Sequence, residues 1–79
     1  MNITDTKKLG IYIKKVRKSQ GLTQADLAIA ANVGVRFLVD LENGKETTQI
    51  GKIISVCNAL GIAIDISSPY EKIQEVNVE

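Results

Sequence analysis

Apolar residues recur through most of the chain at spacings of three and four, the period of a helix with one buried face. Leu9, Ile13 and Val16 form the first such stripe, with Tyr12 beside it and lysines on the other side, and predict a helix over residues 6–20. Gly21 ends it, because glycine takes the left-handed conformation that closes a helix without steric cost. Thr23 and Asp26 then stand at capping-box spacing, a carboxylate variant of the usual motif. A short second helix is expected over residues 24–31, with Leu27 and Ala28 facing inward and Ala30 and Ala31 keeping it slim.

Asn32-Val33-Gly34 interrupts the pattern with residues that tolerate a tight turn. A third helix follows over residues 34–42, with Val33, Leu38 and Leu41 as its inward set, and Asn43-Gly44-Lys45 closes it. Thr48 is read as the cap of a fourth helix over residues 49–60, whose apolar positions are Ile50, Ile53, Ile54, Cys57 and Leu60. Gly61 is its stop. At Ile62-Ala63-Ile64-Asp65-Ile66-Ser67 the period changes to two, which predicts a strand with Ile62, Ile64 and Ile66 on one face. One strand in a helical chain has no ladder partner in its own molecule, so pairing with the same strand of a second subunit about a two-fold axis is expected. Residues 6–67 form the expected domain, with 1–5 and 68–79 as flexible termini.

Composition narrows the picture further. A chain of 79 residues buries only about 60% of its unfolded surface and is marginally stable alone. With one cysteine and no histidine it has no disulfide or histidine-rich metal staple, which again favours oligomerisation. Cys57, among Ile53, Ile54, Val56 and Leu60, reads as core filling, since no histidine exists to activate it. No histidine, carboxylate pair in a supporting context, metal-ligand spacing or glycine-rich phosphate loop is present, so neither an enzyme nor a bound metal or cofactor is expected. The absence of a secretory signal and of a long apolar run points to a cytoplasmic protein with no membrane partner. The net charge of +1 hides a polarity. Residues 1–45 hold eight bases against four acids, and the remainder two against five.

Helix, turn and helix acquire meaning through spacing. From Gln24, Ala28 lies four residues on, Val33 nine, Leu38 fourteen and Leu41 seventeen, the small or apolar positions needed for one short helix to cross another closely. In DNA-binding examples the second helix lies in the major groove and the first spans the backbone. Leu22-Thr23-Gln24-Ala25-Asp26-Leu27-Ala28, followed by Phe37-Leu38-Val39-Asp40-Leu41-Glu42-Asn43-Gly44-Lys45, resembles the helix-turn-helix domain of the lambda-repressor and Xre class. The stretch from Val33 to Lys45, then Thr48-Gln49-Ile50-Gly51-Lys52 and the strand, is similar to HipB-type antitoxins. The resemblance implies a mainly α fold of four to five helices with one C-terminal strand pairing across a homodimer. It implies further a repressor that binds an inverted-repeat operator in double-stranded DNA, represses its own operon and binds a HipA-like kinase toxin. Asn32 and Gly34 depart from the usual Gly and Ser or Thr at the turn and cap; both still permit the geometry.

Roles carried over by position put Gln24 on a phosphate at a helix N-terminus. Val35, Arg36, Val39 and Asp40 line the groove-facing side. Arg36 is the main base reader, because a guanidinium bonds guanine O6 and N7 together, worth about 1–3 kcal/mol of discrimination. Val35 and Val39 suit thymine methyls, and Asp40 either accepts from cytosine N4 or holds Arg36 in place, the second being favoured. Asn43, Lys45 and Thr47 fall where the following loop meets the sugar-phosphate chain. The resemblance also implies an Arg17–Glu42 ion pair that fixes the reading head without touching bases.

Each assignment has a plainer alternative. Arg36 and Asp40 also fit a surface pair worth ~0.3 kcal/mol, Phe37 fits either core or a DNA contact, and Lys14, Lys15 and Lys18 fit a solvated helix face. A free-standing Xre-type repressor of phage or restriction-modification kind, and an interaction module that no longer binds DNA, remain as alternative functions.

Overall fold

The computed structural model describes residues 2–69. Four helices run in chain order: α1 (Thr6–Ser19), α2 (Gln24–Ala31), α3 (Val35–Glu42) and α4 (Ile50–Leu60). Helix α1 packs chiefly on α3, and α2 on α4. Their shared core is built from Ile13, Leu27, Leu38, Leu41, Val56 and Cys57, all essentially without solvent contact. Burial of each such side chain contributes roughly 1.5–3 kcal/mol, which is what holds helices this short in place.

The helix boundaries follow from local chemistry. Asp5 caps α1, its carboxylate accepting from the Lys8 amide at 2.7 Å, while Arg17 and Lys18 lie in the last turn beside the negative end of the helix dipole. At α2 the expected capping box is present: Thr23 Oγ1 accepts from the Asp26 amide at 3.0 Å, and Asp26 Oδ2 accepts from the Thr23 amide at 3.1 Å. Asn32 closes α2 in the left-handed conformation, with φ 55°. Gly10 sits where α1 crosses the end of α3, and a Cβ there would stand 2.7 Å from the Glu42 carbonyl oxygen.

Three expectations change. Thr48 is not the cap of α4; Gln49 holds that position, with no side-chain hydrogen bond, so the helix starts one residue late and weakly capped. Ile50 and Ile54 belong to α4's apolar set but not to the core: Ile50 is 71% exposed and Ile54 lies at the surface, because Val56 takes the inward position between Ile53 and Cys57. The strand over 62–67 is also absent, and among the described residues no strand forms. A ladder needs a neighbouring backbone, and a single chain offers these residues none. Among the described residues beyond Gly61, only Ile62 packs against the core, its amide donating to the Cys57 carbonyl at 2.8 Å. The exposed edge continues through Ile64 to Ile66, which is 93% exposed. The expected flexible tail falls, from residue 70 onward, outside the described residues.

Candidate nucleic-acid interface

Helix α3 is amphipathic across its short length. Leu38, Leu41 and Glu42 are buried, whereas Val35, Arg36 and Asn43 face solvent and Val39 and Asp40 are half-buried between the two sides. The Arg36 side chain is 86% exposed, with Nε 3.3 Å from Asp40 Oδ1 one turn on. Lys45 Nζ stands 3.6 Å from the other Asp40 oxygen. Asp40 thus lies between two cations, the arrangement expected of a residue that orients Arg36. Exposed pairs of this kind contribute little to stability, ~0–1 kcal/mol, so their consequence is geometric.

Behind that face lies the one buried ion pair among the described residues. Arg17 Nε donates to Glu42 Oε2 at 2.6 Å and Nη2 to Oε1 at 2.9 Å, a two-pronged contact between α1 and α3. The third arm, Nη1, donates to the Leu22 carbonyl at 2.8 Å, just ahead of the α2 cap. The hydrogen bond to Glu42 raises the Arg17 pKa further above its already high ordinary value, so the guanidinium stays charged. Gln24, at the start of α2, is half-buried, and its Nε2 donates to Glu42 Oε1 at 3.1 Å. A side-chain amide carries two N–H donors, so one remains for a phosphate.

The loop after α3 is fastened to the start of α1. Thr6 Oγ1 donates to the Gly44 carbonyl at 2.8 Å. Gly44 has φ 81°, and a Cβ there would lie 2.8 Å from Lys7 Cα, so glycine is required on both counts. Asn43, Lys45 and Thr47 are all exposed on this anchored loop. Phe37 is half-buried: it packs against the core, with Lys52 Nζ 5.5 Å from its ring centroid.

Sequence reasoning read Gly44 as a helix stop but missed its close approach to Lys7, and it missed Gly10 and Lys52 altogether. Glycine inside a helix and glycine before a basic loop are signals of close backbone approach, but no sequence signal links Lys52 to Phe37. On another part of the molecule, an open groove of about 720 Å³ is lined by Ile3, Leu9, Tyr12, Ile50, Ile53 and the Ile62–Ile66 edge, and by nothing from α2 or α3. Among the described residues no group of three or more metal-binding side chains converges, and no helix is long and apolar enough to cross a membrane.

Two short helices joined by a tight turn, the second presenting a free polar and apolar face on a braced scaffold, define a DNA-binding transcription regulator of the helix-turn-helix class. The chain belongs to the helix-turn-helix family, whose model matches residues 13–66, and is of its Xre type, a family of regulators and not of enzymes. It is 52% identical over 64 residues to an uncharacterized HTH-type transcriptional regulator, y4mF, of Sinorhizobium fredii, covering 81% of this chain and 84% of that protein. A chain of the HipA-HipB-O2-O3 complex superposes with a TM-score of 0.80 over 87% of this chain and 97% of its own, at 20% identity, which is a likeness of fold. The restriction-modification controller protein C.AhdI of Aeromonas hydrophila matches with a TM-score of 0.68 at 25% identity, over 75% of this chain and 86% of that one.

Proposed function

We propose that the chain acts as a homodimeric repressor of an inverted-repeat operator and as a HipB-type antitoxin that represses its own operon and binds a HipA-like kinase toxin. The observation that carries the DNA reading is the outer face of α3. Val35, Arg36 and Asn43 stand exposed while the opposite face is locked by Leu38, Leu41 and the Arg17–Glu42 pair. In this reading Arg36 reads a guanine under the restraint of Asp40, Val35 and Val39 pack on thymine methyls, and Phe37 flanks them. Gln24, Asn43, Lys45 and Thr47 hold the sugar-phosphate chain. Ile62, Ile64 and Ile66 pair with the same strand of a second copy, which supplies the missing ladder and covers the groove.

Titration against the inverted repeat upstream of the gene tests the DNA reading. Half-sites should lie about 34–36 Å apart or a multiple of that, and affinity should fall steeply with salt. Binding indifferent to both sequence and salt overturns it. The toxin partner rests on the sequence resemblance to HipB-type antitoxins. It is tested by co-purification with, and growth rescue from, any HipA-like kinase encoded beside the gene. A second reading, a free-standing repressor without a toxin, is favoured by the similarity to the restriction-modification controller and gains if no such kinase is bound.

A further inference from the structure

Glu42 lies buried at the end of α3, yet its carboxylate does more than neutralise Arg17. Oε2 accepts one bond, from Arg17 Nε; Oε1 accepts two, from Arg17 Nη2 and Gln24 Nε2. Those three bonds join α1, the first residue of α2 and the last of α3 at a single group. We propose that Glu42, itself fixed by Arg17, is a positioning residue for DNA binding, holding Gln24 so that its second amide N–H is already aimed at a phosphate when the protein meets its operator. The inference rests on the reading of Gln24 as a phosphate contact.

The physical reason lies in side-chain freedom. A glutamine has three rotatable side-chain bonds and loses much of that freedom when it is immobilised in a complex. A bond made in the free protein meets that cost during folding and leaves less to be lost on binding, which is preorganisation. The bond must occupy one N–H only, and it must come from an anchor that cannot swing. Glu42 satisfies both conditions: it offers one lone pair to Gln24, and its own two oxygens are pinned by a guanidinium that a further bond, to the Leu22 carbonyl, prevents from rotating. A carboxylate also polarises the amide it accepts from, and the net result is a neutral donor presented beside a buried pair of zero net charge.

The test is a double-mutant cycle on operator affinity, measured by fluorescence anisotropy well below each variant's melting temperature, with folding verified by circular dichroism. Gln24→Ala should weaken binding to all sequences alike, by about tenfold, the scale of one lost charge-assisted hydrogen bond. Glu42→Gln should weaken it by a similar factor with the ranking of base preferences unchanged. Introduced into Glu42→Gln, the Gln24→Ala change should then cost less than about twofold. If it costs the full factor in both backgrounds, Glu42 is merely structural and the proposal falls. Should Glu42→Gln not fold, the unaltered protein still decides. The two side-chain amide protons of Gln24 should give separate resonances, and operator binding should shift chiefly the one that is not bonded to Glu42; resonances that ignore DNA overturn the proposal. Loss of base preference in Arg36→Ala together with normal binding by Gln24→Ala removes this inference while the operator-binding reading stands. Absence of any salt-dependent, sequence-selective binding removes both.

Discussion

Residues 24–45 and residues 62–66 stand at opposite ends of self-sufficiency. In the first region the helix caps, the Arg17–Glu42–Gln24 junction and the Thr6–Gly44 bond all close within one chain, and among the described residues no buried side-chain polar atom lacks a partner. In the second, three isoleucines in alternation pass from half-buried to almost fully exposed beside an apolar groove. One chain is therefore enough to build a reading head, but not to cover its own apolar edge. That difference separates two quantities usually measured together, the integrity of the head and the presence of a second copy.

The largest effect expected is on the head. Glu42→Ala leaves the Arg17 guanidinium buried without a counter-charge, a change that costs about 3–5 kcal/mol. Against a total of about 5–15 kcal/mol for an ordinary domain this is severe. Urea unfolding would measure it, and a loss under about 1 kcal/mol would show that the head is not held by this pair. Next comes the edge. Ile64→Lys should give monomers by analytical ultracentrifugation and weaken binding to a two-half-site operator by about a hundredfold or more, since linkage of two heads is lost. Its half-site contacts should survive. A dimer that persists in this variant disproves the strand pairing, and the comparison with it.

Smaller and more local is the effect of Arg36→Ala. It should remove about 1–3 kcal/mol of discrimination at one base pair per half-site and leave stability unchanged, because the side chain is exposed. An equal loss at every position would make Arg36 a phosphate contact instead. Asp40→Asn should give a weaker form of the same phenotype if Asp40 acts by restraining Arg36.

How much of this was legible before the structure follows the same division. The helix-turn-helix was readable because its punctuation is chemical: Gly21, the Thr23/Asp26 box, Asn32 and Gly44 each have a conformation or a bond that few residues supply. The Arg17–Glu42 pair came from family resemblance, and no periodicity would have found it. Helix α4 was less legible. Apolar residues at Ile50 and Ile54 obey the helical rhythm as well as Ile53 and Cys57 do, yet they face the surface, because a pattern records that a side chain avoids water and not which surface shields it. The strand failed in the single chain for that reason too. Its alternation is real in the sequence, but among the described residues no backbone lies alongside to complete a ladder. Phe37 stayed ambiguous between core and DNA contact because it is half-buried, one side on the core and the other under Lys52.

The smallest effect tests the head without touching DNA or the groove. Thr23→Ala removes the acceptor for the Asp26 amide and should cost ~1 kcal/mol. Its reciprocal bond has a pH signature. The Thr23 backbone N–H, and secondarily its hydroxyl, hold the Asp26 carboxyl below its ordinary range. A carboxyl with a lowered folded-state pKa binds fewer protons folded than unfolded, so its contribution is fully present above the unfolded value near about 3.9. That contribution is lost as pH falls through the lower folded value. Stability measured from pH 6 down to pH 2 should therefore fall less in Asp26→Asn than in the unaltered protein. Measured on the Ile64→Lys monomer, the same difference should appear undiminished, because the capping box closes within one chain. If it vanishes with the dimer, the head depends on the second copy after all.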